Sequence, residues 1–168
     1  MNHAFSGLAL AAALAIPSQA QAQAQAMVTA SDPAGMVAAL ETAGYDAELG
    51  TDRTGDPKIS LDLAGRSTSL VFYGCDETTK DGCDSVQFTV GFDRAEPWTA
   101  DEAIQISTRF RYGAVSLDDE GDPFLTWDVL TGDGIPTKVF LRSVLAFTSL
   151  IEDAERVIFA EERAAEAD

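Results

Sequence analysis

The chain has 168 residues, which suggests one domain, and its 46% hydrophobic and 23% charged residues can bury a core and do not indicate disorder. The formal net charge is −17, and every Lys, Arg, Asp and Glu lies after residue 31. Such an acidic surface repels phosphate backbones and anionic lipid head groups, which excludes nucleic acid and membrane surfaces as partners. The negative charge could instead attract a cationic partner or a divalent cation, or it could serve only to keep the protein soluble.

Residues 1–26 are typical of a signal peptide that is removed on export. The apolar run Phe5–Ile16 is too short to span a membrane, and Pro17 ends it. Small residues follow at the spacing that signal peptidase requires, and cleavage is predicted after one of four alanines, Ala20, Ala22, Ala24 or Ala26. We therefore expect a bacterial protein that is periplasmic or secreted and is not inserted in a membrane after cleavage.

The mature chain is predicted to form one α+β domain at residues 27–160, followed by a polar C-terminal tail at 161–168 that we expect to fray. Asp32 and Pro33 are typical of the start of a helix, and Gly44 is typical of its end. Alternating apolar residues then predict four strands, at 45–51, 58–63, 66–73 and 85–92.

The second half of the domain continues with a helix, a strand pair and a helix. Thr99 and Glu102 predict a capping box at the start of the first of these helices, and Gly113 is its predicted end. Two strands are predicted next, at 114–117 and 124–130. Pro136 begins a long helix with an apolar stripe. The order α-ββ-ββ-α-ββ-α predicts a twisted antiparallel sheet with helices packed on it.

Two segments share the pattern Asp-x-x-Gly-Asp-Pro at an offset of 66 residues, Asp52–Pro57 and Asp118–Pro123. Gly permits a positive φ and Pro fixes φ without donating a hydrogen bond, so each segment is first of all a predicted hairpin turn. The dense carboxylates also allow a divalent-cation site or a partner contact, whose candidate residues are Asp52, Asp56, Asp118, Asp119 and Asp122. The EF-hand pattern fails, because the Gly stands at the wrong offset and the twelfth position is not Glu.

Cys75 and Cys83 bracket a short loop between two predicted strands, which predicts a structural disulfide in an oxidising compartment. A redox pair usually has two intervening residues, and a metal pair would need further Cys or His. The single histidine, His3, lies in the leader, so Ser-His or Cys-His nucleophiles and His-bound zinc are excluded from the mature domain. No catalytic, cofactor-binding or metal-binding residue is assigned.

One basic and aromatic cluster, Arg109-Phe110-Arg111-Tyr112, has two interpretations. It could recognise an acidic or aromatic ligand, or it could be the basic last turn of a helix, which the helix dipole favours. A hydrolase with paired carboxylates would need an aromatic cleft, and few residues could supply one: Trp98, Trp127, Tyr45, Tyr73 and Tyr112.

Short motifs recur in a fixed order along the mature chain: Ala43-Gly44-Tyr45, Gly55-Asp56-Pro57-Lys58-Ile59, Phe72-Tyr73-Gly74-Cys75-Asp76, Cys83-Asp84-Ser85-Val86-Gln87-Phe88, Arg109-Phe110 and Leu117-Asp118-Asp119-Glu120-Gly121-Asp122-Pro123. Together they resemble the YbjN-domain family, described as bacterial sensory transduction regulators, and most of all its exported members with two cysteines. The resemblance covers about residues 28–158. Such members tend to carry an Asn-x-Trp-Asn-like stretch where this chain has Ala103-Ile104-Gln105-Ile106, so a contact made by that stretch is in doubt.

The resemblance implies a fold like that of type III secretion chaperones and a binding or regulatory role without catalysis. Our first hypothesis is therefore a non-catalytic periplasmic module that recognises a protein partner, through its sheet face or as a homodimer. The alternatives are an acidic domain that responds to divalent cations through its Gly-Asp-Pro turns and a hydrolase with paired carboxylates. No cofactor is expected in any of the three.

Overall fold

The structure is a computed structural model that describes residues 26–166, and its centre is an antiparallel sheet of six strands. The strands of the chain are β1 (Met27–Val28), β2 (Ala47–Thr51), β3 (Pro57–Leu63), β4 (Arg66–Tyr73), β5 (Ser85–Gly91), β6 (Ala114–Leu117), β7 (Pro123–Leu130) and β8 (Ile135–Pro136). The order across the large sheet is β2-β3-β4-β5-β7-β6, and β1 pairs with β8 in a separate ribbon. The six predicted strands are confirmed, whereas the predicted leader lies outside the described residues.

The alternation of apolar and polar residues gives the sheet two unlike faces. A cross-strand row of Ile59, Leu70 and Phe88 is fully buried under the helices. On the other face, a row of hydroxyl side chains crosses four strands, from Ser60 through Ser69 and Thr89 to Thr126. One face of the sheet therefore supplies the core, and the other is a polar surface.

Within residues 26–166, four helices accompany the sheet, α1 (Pro33–Thr42), α2 (Ala100–Arg109), α3 (Thr137–Ile158) and α4 (Ala160–Glu166). The predicted start signals are confirmed, because Asp32 caps α1 by accepting from the Gly35 N–H, and Thr99 and Glu102 form the capping box of α2. The predicted stripe of α3 is buried, at Phe140, Val144, Phe147, Ile151, Ala154 and Ile158. Phe88 packs on this stripe, with its ring centroid 5.3 Å from that of Phe147.

The predicted end of one helix was wrong, and two further features were not predicted. Helix α2 ends at Arg109 and not near Gly113, because Phe110 already has extended backbone angles, φ −113° and ψ 131°. The two-residue strands β1 and β8 were not predicted, since two residues show no periodicity. Residues 160–166 form a short helix, α4, in the polar tail that we placed at 161–168, and the fraying of that tail stays a prediction.

Candidate partner-binding groove

The two Asp-x-x-Gly-Asp-Pro segments form the same hairpin turn, one between β2 and β3 and one between β6 and β7. The Asp52 N–H donates to the Asp56 C=O at 2.9 Å, and the Asp118 N–H donates to the Asp122 C=O at 3.1 Å. The Asp52 carboxylate also accepts from the Asp56 N–H at 3.0 Å, and the Asp118 carboxylate accepts from the Asp122 N–H at 2.9 Å. The prediction of a repeated turn is confirmed.

This arrangement leaves the cation hypothesis without a ligand cage among the described residues. The Oδ1 atoms of Asp52 and Asp118 are occupied by turn amides, and residues 26–166 contain no group of three or more His, Cys, Asp or Glu placed to hold a metal ion. The turns also join different strand pairs at opposite edges of the sheet, so they do not combine into one site. Cation binding stays a prediction, and a melting temperature raised by millimolar calcium would support it.

The aspartate that precedes the proline in each turn contacts a neighbouring loop. Asp56 lies 3.4 Å from the Lys80 ammonium, and Asp122 accepts from the Arg94 N–H at 2.9 Å. Asp119 is exposed at the tip of the second turn. We infer that these aspartates hold the turns in place.

Three carboxylates in capping or turn positions have pKa values lowered by hydrogen bonds. The pKa of Asp52 is lowered first by the Thr54 hydroxyl, that of Asp76 by the Thr79 backbone N–H, and that of Glu102 by the Thr99 backbone N–H. A lowered folded-state pKa contributes stability above the unfolded pKa, and this contribution is lost as the pH falls through the folded value.

We therefore expect the free energy of unfolding to decrease as the pH is lowered below about 4, where these carboxylates take up protons. Urea unfolding at several pH values between 7 and 3 measures the decrease. Glu102→Gln keeps a side chain that can close the capping box but does not titrate, so its decrease should be shallower than that of the unchanged chain. Equal slopes for the two proteins would contradict the assignment.

The cysteine prediction is confirmed, because Cys75 and Cys83 form a disulfide with an S–S distance of 2.07 Å. Asp76 organises the enclosed loop by accepting from the Thr78 and Thr79 N–H groups, both at 2.8 Å. Through Lys80 the loop also contacts the β2–β3 turn. The disulfide is therefore part of a loop that supports one edge of the sheet.

The basic and aromatic cluster that the sequence presented as one unit is divided between two surfaces. Arg109 lies in the last turn of α2 and lines a polar cleft with Trp98 and Arg156. Tyr112 has a left-handed backbone, φ 68°, which is rare for an aromatic residue. Its ring contacts Trp127 of β7 at a centroid distance of 5.2 Å. The four residues therefore do not form a single ligand site.

Tyr112 instead forms one end of an apolar groove between β7 and α3. The groove has a volume of about 670 Å³. Its lining residues are Tyr112, Trp127, Asp128, Val129, Leu130, Lys138, Val139, Arg142, Ser143 and Ala146. Three of them are large apolar side chains that face solvent, since Tyr112 is 70% exposed, Leu130 78% and Val139 46%. Adjoining exposed apolar side chains of this kind mark interaction surfaces.

The groove is locally basic although the chain is strongly acidic. The ion pairs of the described residues involve Arg66, Lys80, Arg94 and Arg156. Lys138 and Arg142 of the groove pair with no described carboxylate. Asp128, the carboxylate in the lining, lies on the open face and accepts from the Gln87 side chain at 3.0 Å. Two cations therefore remain available to a ligand.

Sequence reasoning missed this groove, although parts of its signal are present. Lys138 and Arg142 are four residues apart on a helix and so share a face. Trp127 was considered only as a core or cleft residue, and Tyr112 was also considered with the basic cluster at 109–112 but was not paired with Trp127. What joins them is the left-handed turn at Tyr112, which no local pattern indicates.

The comparisons with known proteins agree with the motifs. The sequence model of the YbjN family, described as "Putative bacterial sensory transduction regulator", matches residues 32–160, which is more than half of the chain. A search of the curated proteins and a search of the solved structures found no match, so likeness to a secretion chaperone stays a prediction. Within residues 26–166, no helix has both the length and the apolar character that crossing a membrane requires. The chain belongs to the YbjN family.

Proposed function

We propose that this protein is an exported, non-catalytic regulatory module that binds a protein partner through the groove between β7 and α3. The observation that carries the proposal is the exposed Tyr112 ring, packed on Trp127 in a groove that Arg142 also lines, with no carboxylate of the described residues paired to that arginine. Aromatic residues and arginine are the residue types most enriched in the energetic centres of protein interfaces. The family's description as a regulator supports a binding role.

Export is supported by the predicted leader together with the Cys75–Cys83 disulfide, because such bonds persist in oxidising compartments. The open face of the sheet, which the sequence analysis named as a possible contact surface, is a weaker candidate. Its central row consists of hydroxyl side chains, which remain well hydrated in the absence of a partner. We therefore place the contact at the groove.

The hydrolase alternative finds little support in a cleft that combines a tryptophan with two glutamates. This cleft contains Trp98, Glu102 and Glu161. The Glu102 carboxylate closes the capping box, and its pKa is lowered, whereas a general acid needs a raised pKa. The Trp98 ring is buried under the Arg94 guanidinium, 5.4 Å from its centroid, so it is not free to stack on a sugar.

Site-specific photo-crosslinking in the source bacterium tests the proposal. A benzoylphenylalanine replaces Val139 in the groove, and the control replaces Leu145, which is exposed on the same helix but does not line the groove. We expect a discrete protein adduct from position 139, none from position 145, and loss of the adduct when Arg142→Glu is added. The same adducts from both positions, or none from position 139, would overturn the proposal.

A further inference from the structure

Strand β7 is longer than its neighbour β6, which leaves part of a sheet edge open. The register pairs Ala114 with Thr126 and Leu117 with Pro123. The remaining residues of β7, Trp127–Leu130, are paired with β5 on one side, and no described strand lies on the other. This open edge borders the groove, since all four of its residues line it. An unpaired edge is a template for another strand.

The hydrogen-bonding pattern shows which backbone groups are open. The Thr131 N–H donates to the Asp84 C=O, and the Phe92 N–H donates to the Pro123 C=O, both at 3.0 Å, one position beyond either end of the register between β5 and β7. Because the direction of the backbone groups alternates along an antiparallel strand, Trp127 and Val129 also bond to β5. The N–H and C=O groups of Asp128 and Leu130 then point to the open edge. The edge therefore offers two donors and two acceptors.

We propose that the partner binds as an extended acidic peptide that adds a strand to Asp128–Leu130, an inference that rests on the proposed function of this groove. Its backbone pairs with the open N–H and C=O groups, in line with β6. Its alternate side chains enter the groove, where they meet the Tyr112 and Trp127 rings and the cations of Lys138 and Arg142. The other side chains lie on the open face beside Asp128, so acidic residues belong at groove-facing positions only.

Charge complementarity selects this occupant over a second copy of the chain. A symmetric pairing of two β7 edges would bring Lys138 and Arg142 of both copies to one interface, where they repel each other. The other free edge of the sheet, β2, carries Glu48, and Asp46 and Asp62 line the same surface. Charged side chains protect a sheet edge against pairing. The open β7 edge carries one carboxylate, Asp128, which lies on the open face and accepts from the Gln87 side chain, whereas Lys138 and Arg142 flank the edge on the groove side.

The first test is selection of random decapeptides displayed on phage against residues 27–168. We expect enriched peptides in which acidic residues occupy alternate positions among apolar ones. Enrichment of basic peptides, of helical i, i+3, i+4 patterns, or of no peptide at all would overturn the inference.

The second test measures the affinity of a selected, fluorescein-labelled peptide by anisotropy. Leu130→Pro removes an N–H that faces away from β5, and proline is tolerated at such edge positions, so we expect about a tenfold loss of affinity. Leu130→Ala keeps the N–H and should stay within about threefold. Urea midpoints and circular dichroism check that both variants fold. If the proline variant does not fold, a peptide N-methylated at alternate residues should bind the unchanged protein about tenfold more weakly.

Arg142→Glu separates this inference from the proposed function. If it weakens binding while Leu130→Pro and peptide N-methylation do not, the groove binds its partner without strand pairing. The inference is then wrong, and the proposed function stands. If none of these changes affects binding, both are wrong.

Discussion

Replacing Cys75 and Cys83 together by serine is expected to lower the free energy of unfolding by about 2 to 3 kcal/mol. The bond closes a short loop, with a sequence separation of 8 residues. In the chain-entropy account, its loss gives the unfolded chain back the freedom of that loop. Cys83 is itself buried, 2% exposed, and replacing its sulfur by a hydroxyl adds a polar group to the core. Serine should therefore cost more than alanine at this position.

Equilibrium urea unfolding at pH 7 measures this effect, with the Cys75→Ala, Cys83→Ala double variant as the matched control. The unchanged protein in dithiothreitol should lose a similar free energy, because reduction removes the same constraint. A non-reducing gel shift confirms the state of the bond in each sample. An unchanged urea midpoint after complete reduction would show that the bond contributes nothing, and it would weaken the argument for an oxidising compartment.

The parts of the fold that sequence predicts well are those in which a periodic pattern fixes a face. Strand β5 alternates through Val86, Phe88 and Val90, all buried, so its presence and its core face are predictable. Helix α3 shows the same principle with the helical period. Such patterns report how a residue is buried, and burial is what drives folding.

The groove escapes this reasoning because it depends on where two elements end. The end of α2 at Arg109, the left-handed Tyr112 and the start of β6 at Ala114 together leave β7 uncovered. Strand β6 begins where it was predicted, but α2 ends four residues before its predicted end at Gly113, and boundaries are the least predictable part of any element. A small error in an element's end therefore conceals a candidate site. The sequence did place Tyr112 and Trp127 among its few aromatic candidates.

The two equivalent glycines of the repeated turn should respond very differently to the same substitution. Gly55 and Gly121 both have left-handed backbones, with φ of 87° and 85°, so Ala costs about 1 to 2 kcal/mol of backbone strain at either. Beyond that, a Cβ at Gly55 would meet only the flexible Lys80 side chain, at 3.8 Å. A Cβ at Gly121 would lie 2.6 Å from the Pro97 Cβ and 3.1 Å from its Cα.

The crowding at Gly121 exists because the β6–β7 turn packs on the chain segment before α2. The Trp98 N–H donates to the Gly121 C=O at 3.0 Å, which holds the two backbones together. Separating them to admit a methyl group should cost about 1 to 3 kcal/mol more, as in other overpacked sites. We therefore expect Gly121→Ala to lose about 2 to 5 kcal/mol in total and Gly55→Ala about 1 to 2 kcal/mol.

Urea unfolding of the two variants, side by side, measures the difference. The comparison is internally controlled, since the motif, the turn geometry and the substitution are the same at both sites. Equal losses in the free energy of unfolding would mean that the turn and Pro97 move apart to admit the methyl group without an energetic penalty. A larger loss at Gly121 would show that the second turn is anchored to the segment before α2. Because that turn joins the end of β6 to the start of β7, its anchoring would also hold the register of this strand pair, in which β6 covers β7 only as far as Thr126.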